Sequence, residues 1–248
     1  MREYYLPPVI EKNAKKGYRP PSKGEIIACI VSYLDSMAKK TGFIRKHPTE
    51  KLVRIVLLHY PIDLMCRGNE CVLVDPVVGE VIDDQGLLAQ LIFLLQHPSP
   101  SPYLEPSIEI EPLNPLEYSD ELFAREEILV PAPKTGSGRY YVPLIIAVFE
   151  GKDGIRTVIA TPLYYLSDFP SKYHGIRSFD KISKLVSRVP IDTEGLEEQA
   201  VLADWMLERG DTRKSLESGL ARLKEKGVIN NREMNHILRR YVQFKSRG

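Results

Sequence analysis

The sequence is short of cysteine and tryptophan, with three and one among 248 residues, and it has no long uncharged apolar run. An odd number of cysteines cannot complete the paired framework of a small secreted domain. No window approaches the roughly 18 apolar residues that a helix needs to cross a bilayer, so no membrane partner is expected. The opening residues MREYYLPPVIEKNAKKGYRPPSKGE have charge but no apolar core, so they do not read as a signal peptide, and the cytoplasm is the default location. The phosphate-cradling G-x-x-x-x-G-K-[ST], the dinucleotide G-x-G-x-x-G, the zinc-protease H-E-x-x-H and the nucleophile G-x-S-x-G are all missing. The glycines of KTGSGRYY (134–141) lead into a strand, so their amides do not gather at a helix start. No cofactor and no catalytic residue is assigned.

What is present is an ordinary globular composition, 43 % hydrophobic and 27 % charged, long enough for one large or two small domains. The net charge of +1 hides a division along the chain. Residues 1–62 carry 12 basic and 5 acidic side chains, whereas residues 63–130 carry 2 and 14. Residues 131–170 carry 4 and 3, and residues 171–248 carry 16 and 11. Either the basic ends fold against the acidic middle, or they contact nucleic acid or an acidic partner.

The pattern divides the chain into consecutive blocks. Residues 1–21, with Pro7, Pro8, Pro20 and Pro21, read as an extended basic arm, because paired prolines forbid a continuous helix. Residues 22–97 form a first α+β unit. Its helix opens on the S-x-x-E capping pattern of Ser22 and Glu25, continues through Ile26, Ile27, Ile30, Val31, Leu34, Met37 and Ala38, and is expected to end at Gly42. A hairpin follows, then the buried helix GLLAQLIFLLQH (86–97). Residues 98–118 are a proline-rich linker. Residues 119–191 form a second α+β unit, with the short helix SDELFAREEI (119–128), a hairpin turning at Asp153-Gly154, and the helix FDKISKLVSRV (179–189). Residues 192–248 are expected to be a tail of helices only. The fold class is α+β, two hairpin-plus-helix units followed by that helical tail.

The two hairpins share their punctuation. Each enters through an aromatic residue and a proline (Tyr60-Pro61; Tyr141-Val142-Pro143), turns through glycine and leaves at a proline (Pro76; Pro162). The proline-to-proline spans differ by four residues, two per strand, which leaves every side chain on its own face. This suggests a diverged duplication, although α+β hairpins commonly share such punctuation. Pro61 lacks an amide proton and belongs at an edge or a bulge. Cys66 and Cys71 flank the first turn. They can be a metal knuckle, a cross-strand disulfide or plain sheet. Zinc would need a second ligand pair, which Cys29, His47, His59, His97, His174 and His236 do not supply, so no metal site is assigned. A disulfide suits a thermophilic host. The residues favour reduced thiols packed as small apolar side chains, and the second hairpin manages with Val148 and Thr157 near the matching positions.

Two carboxylate pairs could serve a divalent metal: Asp83-Asp84, which also suits a helix cap, and Glu109 with Glu111 on one face of a strand. At the C-terminal end, TEGLEEQAVLADWMLERGD (193–211) reads as a helix through Trp205 and Met206 stopped by Gly210. Leu216, Leu220 and Leu223 then space a helix that stops at Gly227, Val228-Ile229 follows, and Asn230 with Glu233 caps a last helix striped by Met234, Ile237, Leu238, Tyr241 and Val242. Residues 215–241 resemble the short C-terminal helical hairpin called SHOCT, with Asn230 where threonine is usual and Met234 where phenylalanine is usual. The resemblance implies an oligomerisation or interaction tail. It transfers no catalytic residue.

The sequence therefore favours a non-catalytic interaction or adaptor protein, a subunit of a larger assembly or a homo-oligomer. Its contacts would come from the N-terminal arm and from Leu216, Leu220, Leu223, Met234, Leu238 and Tyr241. The alternative is nucleic-acid binding, with phosphate contacts from Lys15, Lys16, Arg19, Arg213, Lys214, Arg239, Arg240 and Lys245, since residues 212–248 hold ten basic and three acidic side chains. A metal-dependent nuclease is the third reading.

Overall fold

A computed structural model describes residues 2–13, 17–19, 21–42, 47–83, 107–109, 129–132, 136–160, 162–167, 174–175, 204–206 and 210–242. The chain opens with β1 (Glu3–Tyr5), β2 (Val9–Asn13), β3 (Gly17–Arg19), α1 (Lys23–Met37), β4 (Lys40–Thr41) and β5 (His47–Pro48). The first hairpin follows as β6 (Glu50–Arg67) and β7 (Glu70–Asp75), then β8 (Glu80–Val81), β9 (Ser107–Glu109) and β10 (Val130–Pro131). The second hairpin is β11 (Gly138–Gly151) and β12 (Gly154–Ala160), followed by β13 (Leu163–Ser167), β14 (His174–Gly175) and β15 (Asp204–Met206). The chain closes with α2 (Gly210–Glu225), α3 (Asn231–Ile237) and a π-helical turn, Leu238–Val242. Helices combine with sheets of mixed parallel and antiparallel strands, so the class is α+β. Among the described residues no helix is long and apolar enough to cross a membrane.

Two compact units are each assembled from three separated segments, where the sequence suggested consecutive blocks. The first contains Met1–Pro7, Leu57–Leu144 and Ile176–Ala203; the second contains Pro8–Val56, Ile145–Gly175 and Asp204–Gly248. In the first unit the strands run β1-β11-β6-β7-β10, with β8 beside β7 and β9 beside β6. β1 and β9 are parallel additions, to Arg139–Tyr141 and Leu57–His59 respectively. Met65, Val72 and Val74, with Val81 and Leu129 against them, form one apolar cluster. In the second unit β12 pairs with Ile145–Gly151 and β15 with Arg54–Val56, and β14-β13-β2-β3 form a separate four-stranded sheet. Residues 1–21, expected as an arm, are thus strand partners where they are described: Leu6, Val9 and Ile10 are buried.

The two hairpins keep one register rule. Asp63 pairs with Val74, and Ile145 pairs with Ala160. Two steps further out, Pro61 falls opposite Pro76 and Pro143 opposite Pro162, and all four prolines are buried. In each case a parallel ladder ends two residues before the first proline, at His59 and at Tyr141, and the hairpin ladder starts two residues after it. A residue without an amide proton falls where the recorded partner strand changes, which is how a proline is carried inside a long strand. Val148 pairs with Thr157 at the positions matching Cys66 and Cys71.

Three boundaries differ from expectation. α1 ends at Met37, with Ala38 as its cap, not at Gly42. The Lys39 amide donates to the Glu50 carboxylate at 3.0 Å and the Lys39 carbonyl accepts from Thr49 at 2.8 Å, so the backbone is captured before another turn can form. The tail is not all helix: Asp204–Met206 is a strand, because the β6 edge offers its amides and carbonyls a ladder. Gly210 starts α2 where a helix stop was expected. The helices expected at 86–97, 119–128 and 179–189 lie outside the described residues, as does the proline-rich stretch apart from β9.

Candidate functional site: a basic groove along the last helix

In the second unit α1 and α3 start by the same local chemistry. Ser22 Oγ accepts from the Glu25 amide at 3.4 Å, and Glu25 Oε2 accepts from the Ser22 amide at 2.7 Å. Asn230 Oδ1 accepts from the Glu233 amide at 3.0 Å, and Glu233 Oε2 returns the bond at 3.0 Å. Between them α2 stops by a glycine in the left-handed region: Gly227 has φ 71°, its amide donates to Lys224 O, and Val228 donates to Leu223 O. Val228 and Ile229 are buried there. The turn, the buried pair and the cap fix where α3 starts.

α1 packs on α2. Leu216, Leu220 and Leu223 are fully buried in the second unit's core, and Tyr241 is nearly so. The contact surface expected from these four is spent inside the chain, because leucines spaced on one helix face found a partner helix of their own. Leu238 and Met234 are half-buried. Two polar knots hold the layer. Lys226 Nζ lies 2.6 Å from Glu11 Oε2 and 2.5 Å from Glu25 Oε1. Burial pushes the Glu25 carboxyl up, but Lys226 and Ser22 outweigh it and leave it below the ordinary range. In the second knot Asp35, buried, accepts from Tyr241 Oη at 2.5 Å, pairs with Arg240 at 2.7 Å and meets His236 Nε2 at 3.1 Å. Arg240 also donates to the Glu50 carbonyl. Glu50 itself is held by Arg156 at 2.6 Å, which lowers its carboxyl to about 2.

These knots leave a groove beside α3. A cavity of about 1060 Å³ has Ser32 and Tyr33 of α1, Val228 and Ile229 on its lining, with Lys40, Arg232 and His236 around it. A second, about 630 Å³, shares Arg232 and His236 and adds Asn235, Arg239 and Arg240; a third, about 320 Å³, shares Arg239 and Arg240 and reaches Lys51 and Glu150. Arg232, His236 and Arg239 are exposed at i, i+4 and i+7, one stripe of the helix. Asp35, Glu50 and Glu233 line the same cavities, but each is already bonded as described. The side chains of Arg232, Arg239 and Lys40 make no ion pair or hydrogen bond among the described residues. The Ser32 hydroxyl is buried and has no partner among them.

Of the residues expected to contact phosphate, Arg239 lies in this groove, and Arg240 lines it with its charge committed to Asp35. Arg213 and Lys214 sit on α2. Lys15, Lys16 and Lys245 lie outside the described residues, and of Arg19 only the backbone is described. Sequence reading missed Arg232, His236 and Lys40. The signal for the first two was available: basic residues at helical spacing after a cap already identified.

In the first unit, Asp75 accepts from the Tyr60 hydroxyl at 2.8 Å and from the Val77 amide at 2.9 Å, closing the turn after β7. Burial still pushes the Asp75 carboxyl up. Asp63 and Arg139 form a bidentate pair at 2.7 and 2.8 Å. Cys66 and Cys71 stand in register with sulfurs 1.95 Å apart, a disulfide where the residues had favoured reduced thiols. Of the carboxylates considered for a metal, Asp83 is exposed, Glu109 is described only as a β9 backbone paired with His59, and Asp84 and Glu111 lie outside the described residues. Among the described residues no group of three or more His, Cys, Asp and Glu side chains could hold a metal ion.

No protein family matches the chain, and neither a curated protein nor a solved structure matches it.

Proposed function

We propose that the chain is a non-catalytic binding protein, a cytoplasmic subunit of a larger assembly, that holds an anionic partner in the groove along α3. One observation carries this reading. The side chains of Arg232, Arg239 and Lys40 line adjoining cavities without a partner among the described residues, while of the carboxylates around them Asp35, Glu50 and Glu233 are already bonded and Glu150 stands at the third cavity. An unpaired, exposed cation remains available to an incoming anion, and its attraction falls as salt rises. The contact surface thus moves from the leucines, which are core, to the exposed side of the last helix. The order of helix, glycine, apolar pair, cap and helix over 215–241 supports a SHOCT-like interaction hairpin in which the leucines anchor and the basic stripe recognises.

The test is a native pull-down with wild type and with an Arg232→Glu/Arg239→Glu variant, each split into nuclease-treated and untreated halves. Partners held by wild type and lost by the variant support the groove. Identical recoveries from both proteins overturn it.

We also infer that the two hairpins descend from one duplicated unit. The proline-opposite-proline register, the parallel ladder before it and the two-residue turns at Gly68-Asn69 and Lys152-Asp153 support this, since punctuation alone does not require the same register.

A further inference from the structure

We infer that the partner of the groove is a single-stranded nucleic acid held by its phosphodiester backbone; this rests on the binding reading above and names the ligand of that same site. The charge is laid out as a line. Arg232 and Arg239 stand seven residues apart on the lining of one cavity, roughly 10 Å at about 1.5 Å per residue, which suits a chain of anions better than a single one. Both carry guanidinium groups, whose planar donor fork matches phosphate oxygens. Lys40 comes from outside α3, so cations reach the cavity from two elements. Val228, Ile229 and Tyr33 border the space between them, beside the Asp35 and Glu233 carboxylates that are already bonded. An unstacked base offers an apolar face to such a lining. A duplex keeps that face inside its stack, so the recess selects for the single strand. An acidic peptide would satisfy the cations, but its side chains bring neither a planar ring beside each charge nor a fixed spacing of charges.

The experiment is fluorescence anisotropy with the full chain and four labelled probes: 20-residue oligo(U), 20-residue oligo(dT), a 20-base-pair duplex and poly-glutamate. With about three phosphates neutralised, affinity for a single strand should fall ~20-fold between 50 and 200 mM salt, at roughly −0.7 log units per contact per log unit of salt. The Arg232→Glu/Arg239→Glu variant should lose at least tenfold in affinity, and Lys224→Glu on the outer face of α2 should not. An Arg232→Ala/Arg239→Ala variant, checked by circular dichroism, carries the same expectation should the charge reversal fail to fold. Binding of oligo(U) or oligo(dT) that meets these expectations supports the proposal, and the stronger of the two identifies the sugar. Poly-glutamate bound through the same arginines, with both oligonucleotides ignored, overturns the nucleic-acid assignment and leaves the groove standing. A duplex bound as tightly as the strands overturns single-strand selection. No probe bound, or binding indifferent to both double variants, overturns the groove together with its ligand.

Discussion

Gly219 of α2 meets Gly24 of α1 backbone to backbone: a Cβ added to Gly219 would overlap the Gly24 carbonyl, and one added to Gly24 would lie 2.8 Å from the Ser215 carbonyl oxygen. Glycine inside an exposed helix costs about 1 kcal/mol relative to alanine, so its use here follows from the close approach. Gly219→Ala should therefore destabilise, by about 3 kcal/mol, because backbone and not a flexible side chain blocks the methyl group. Gly210→Ala, at a position where an added Cβ meets nothing within 4 Å, should be neutral or slightly stabilising. Urea midpoints of the two variants decide it, and equal midpoints would mean that the α1–α2 approach is not tight.

Lys226 bonds both Glu11 and Glu25, so removing it takes the cation from between two buried carboxylates. Lys226→Met should cost about 3 kcal/mol at pH 8. The sign of its pH dependence follows from Glu25. With Lys226 present its pKa is lowered, so its contribution is full above the ordinary carboxylate value and is lost as pH falls through the lowered one. Without Lys226 only the Ser22 bonds oppose burial, so the carboxyl is held down less and acid costs the variant less. The variant should lie nearer wild type at pH 4.5 than at pH 8. An equal gap at both values would mean that Lys226 acts by packing and not by charge.

What the sequence disclosed was what neighbours in the chain decide. Both capping boxes close over three residues, Gly227 needs only its own φ, and the turn at Gly68-Asn69 is local, while the second turn falls at Lys152-Asp153, one residue before the expected Asp153-Gly154. What it hid was decided by distant partners. Asp204–Met206 carries helical periodicity, yet three residues are too few to resist a strand edge that offers a ladder. The bonds between Lys226 and Glu11, and between Tyr241 and Asp35, join residues 215 and 206 positions apart. No local pattern distinguishes a carboxylate that will be bonded from one that stays free, and so the groove's charge balance could not be read in advance. Leu216, Leu220 and Leu223 were recognised as one apolar stripe, but whether a stripe faces a partner or its own chain depends on α1, nearly 200 residues earlier.

His59 is 2 % exposed, edge-on to Tyr5 at 5.3 Å, and its Nδ1 has no partner among the described residues. Burial alone lowers its pKa from 6.5 to about 4. The unfolded chain then takes up a proton below pH 6.5 that the native protein refuses until about pH 4. Stability is full above 6.5 and falls across that window by about 3 kcal/mol, at about 1.36 kcal/mol per pH unit. His59→Phe keeps a ring beside Tyr5 and has nothing to protonate. It should gain 2 kcal/mol or so on wild type between pH 7 and pH 4.5 in urea unfolding. Parallel pH profiles for the two proteins would put the acid sensitivity elsewhere.

The Cys66–Cys71 bond closes a loop with a sequence separation of 5, and such a small loop should stabilise by about 2 kcal/mol through the unfolded chain. Cys29 is buried in α1, and burial pushes its thiol well up, so it should not react while the protein is folded. Thiol titration should therefore find no reactive group in the native protein, one after denaturation, and all three cysteines after denaturation with reductant. Three thiols without reductant would mean that the pair is reduced. Cys66→Val/Cys71→Thr installs the pair that the second hairpin already uses at Val148 and Thr157. Its β-branched side chains suit a strand, so the variant should fold, with a midpoint at or above that of the reduced wild type and indifferent to reductant. A variant that fails to fold would show that the first hairpin depends on its crosslink, and would count against treating the two hairpins as interchangeable.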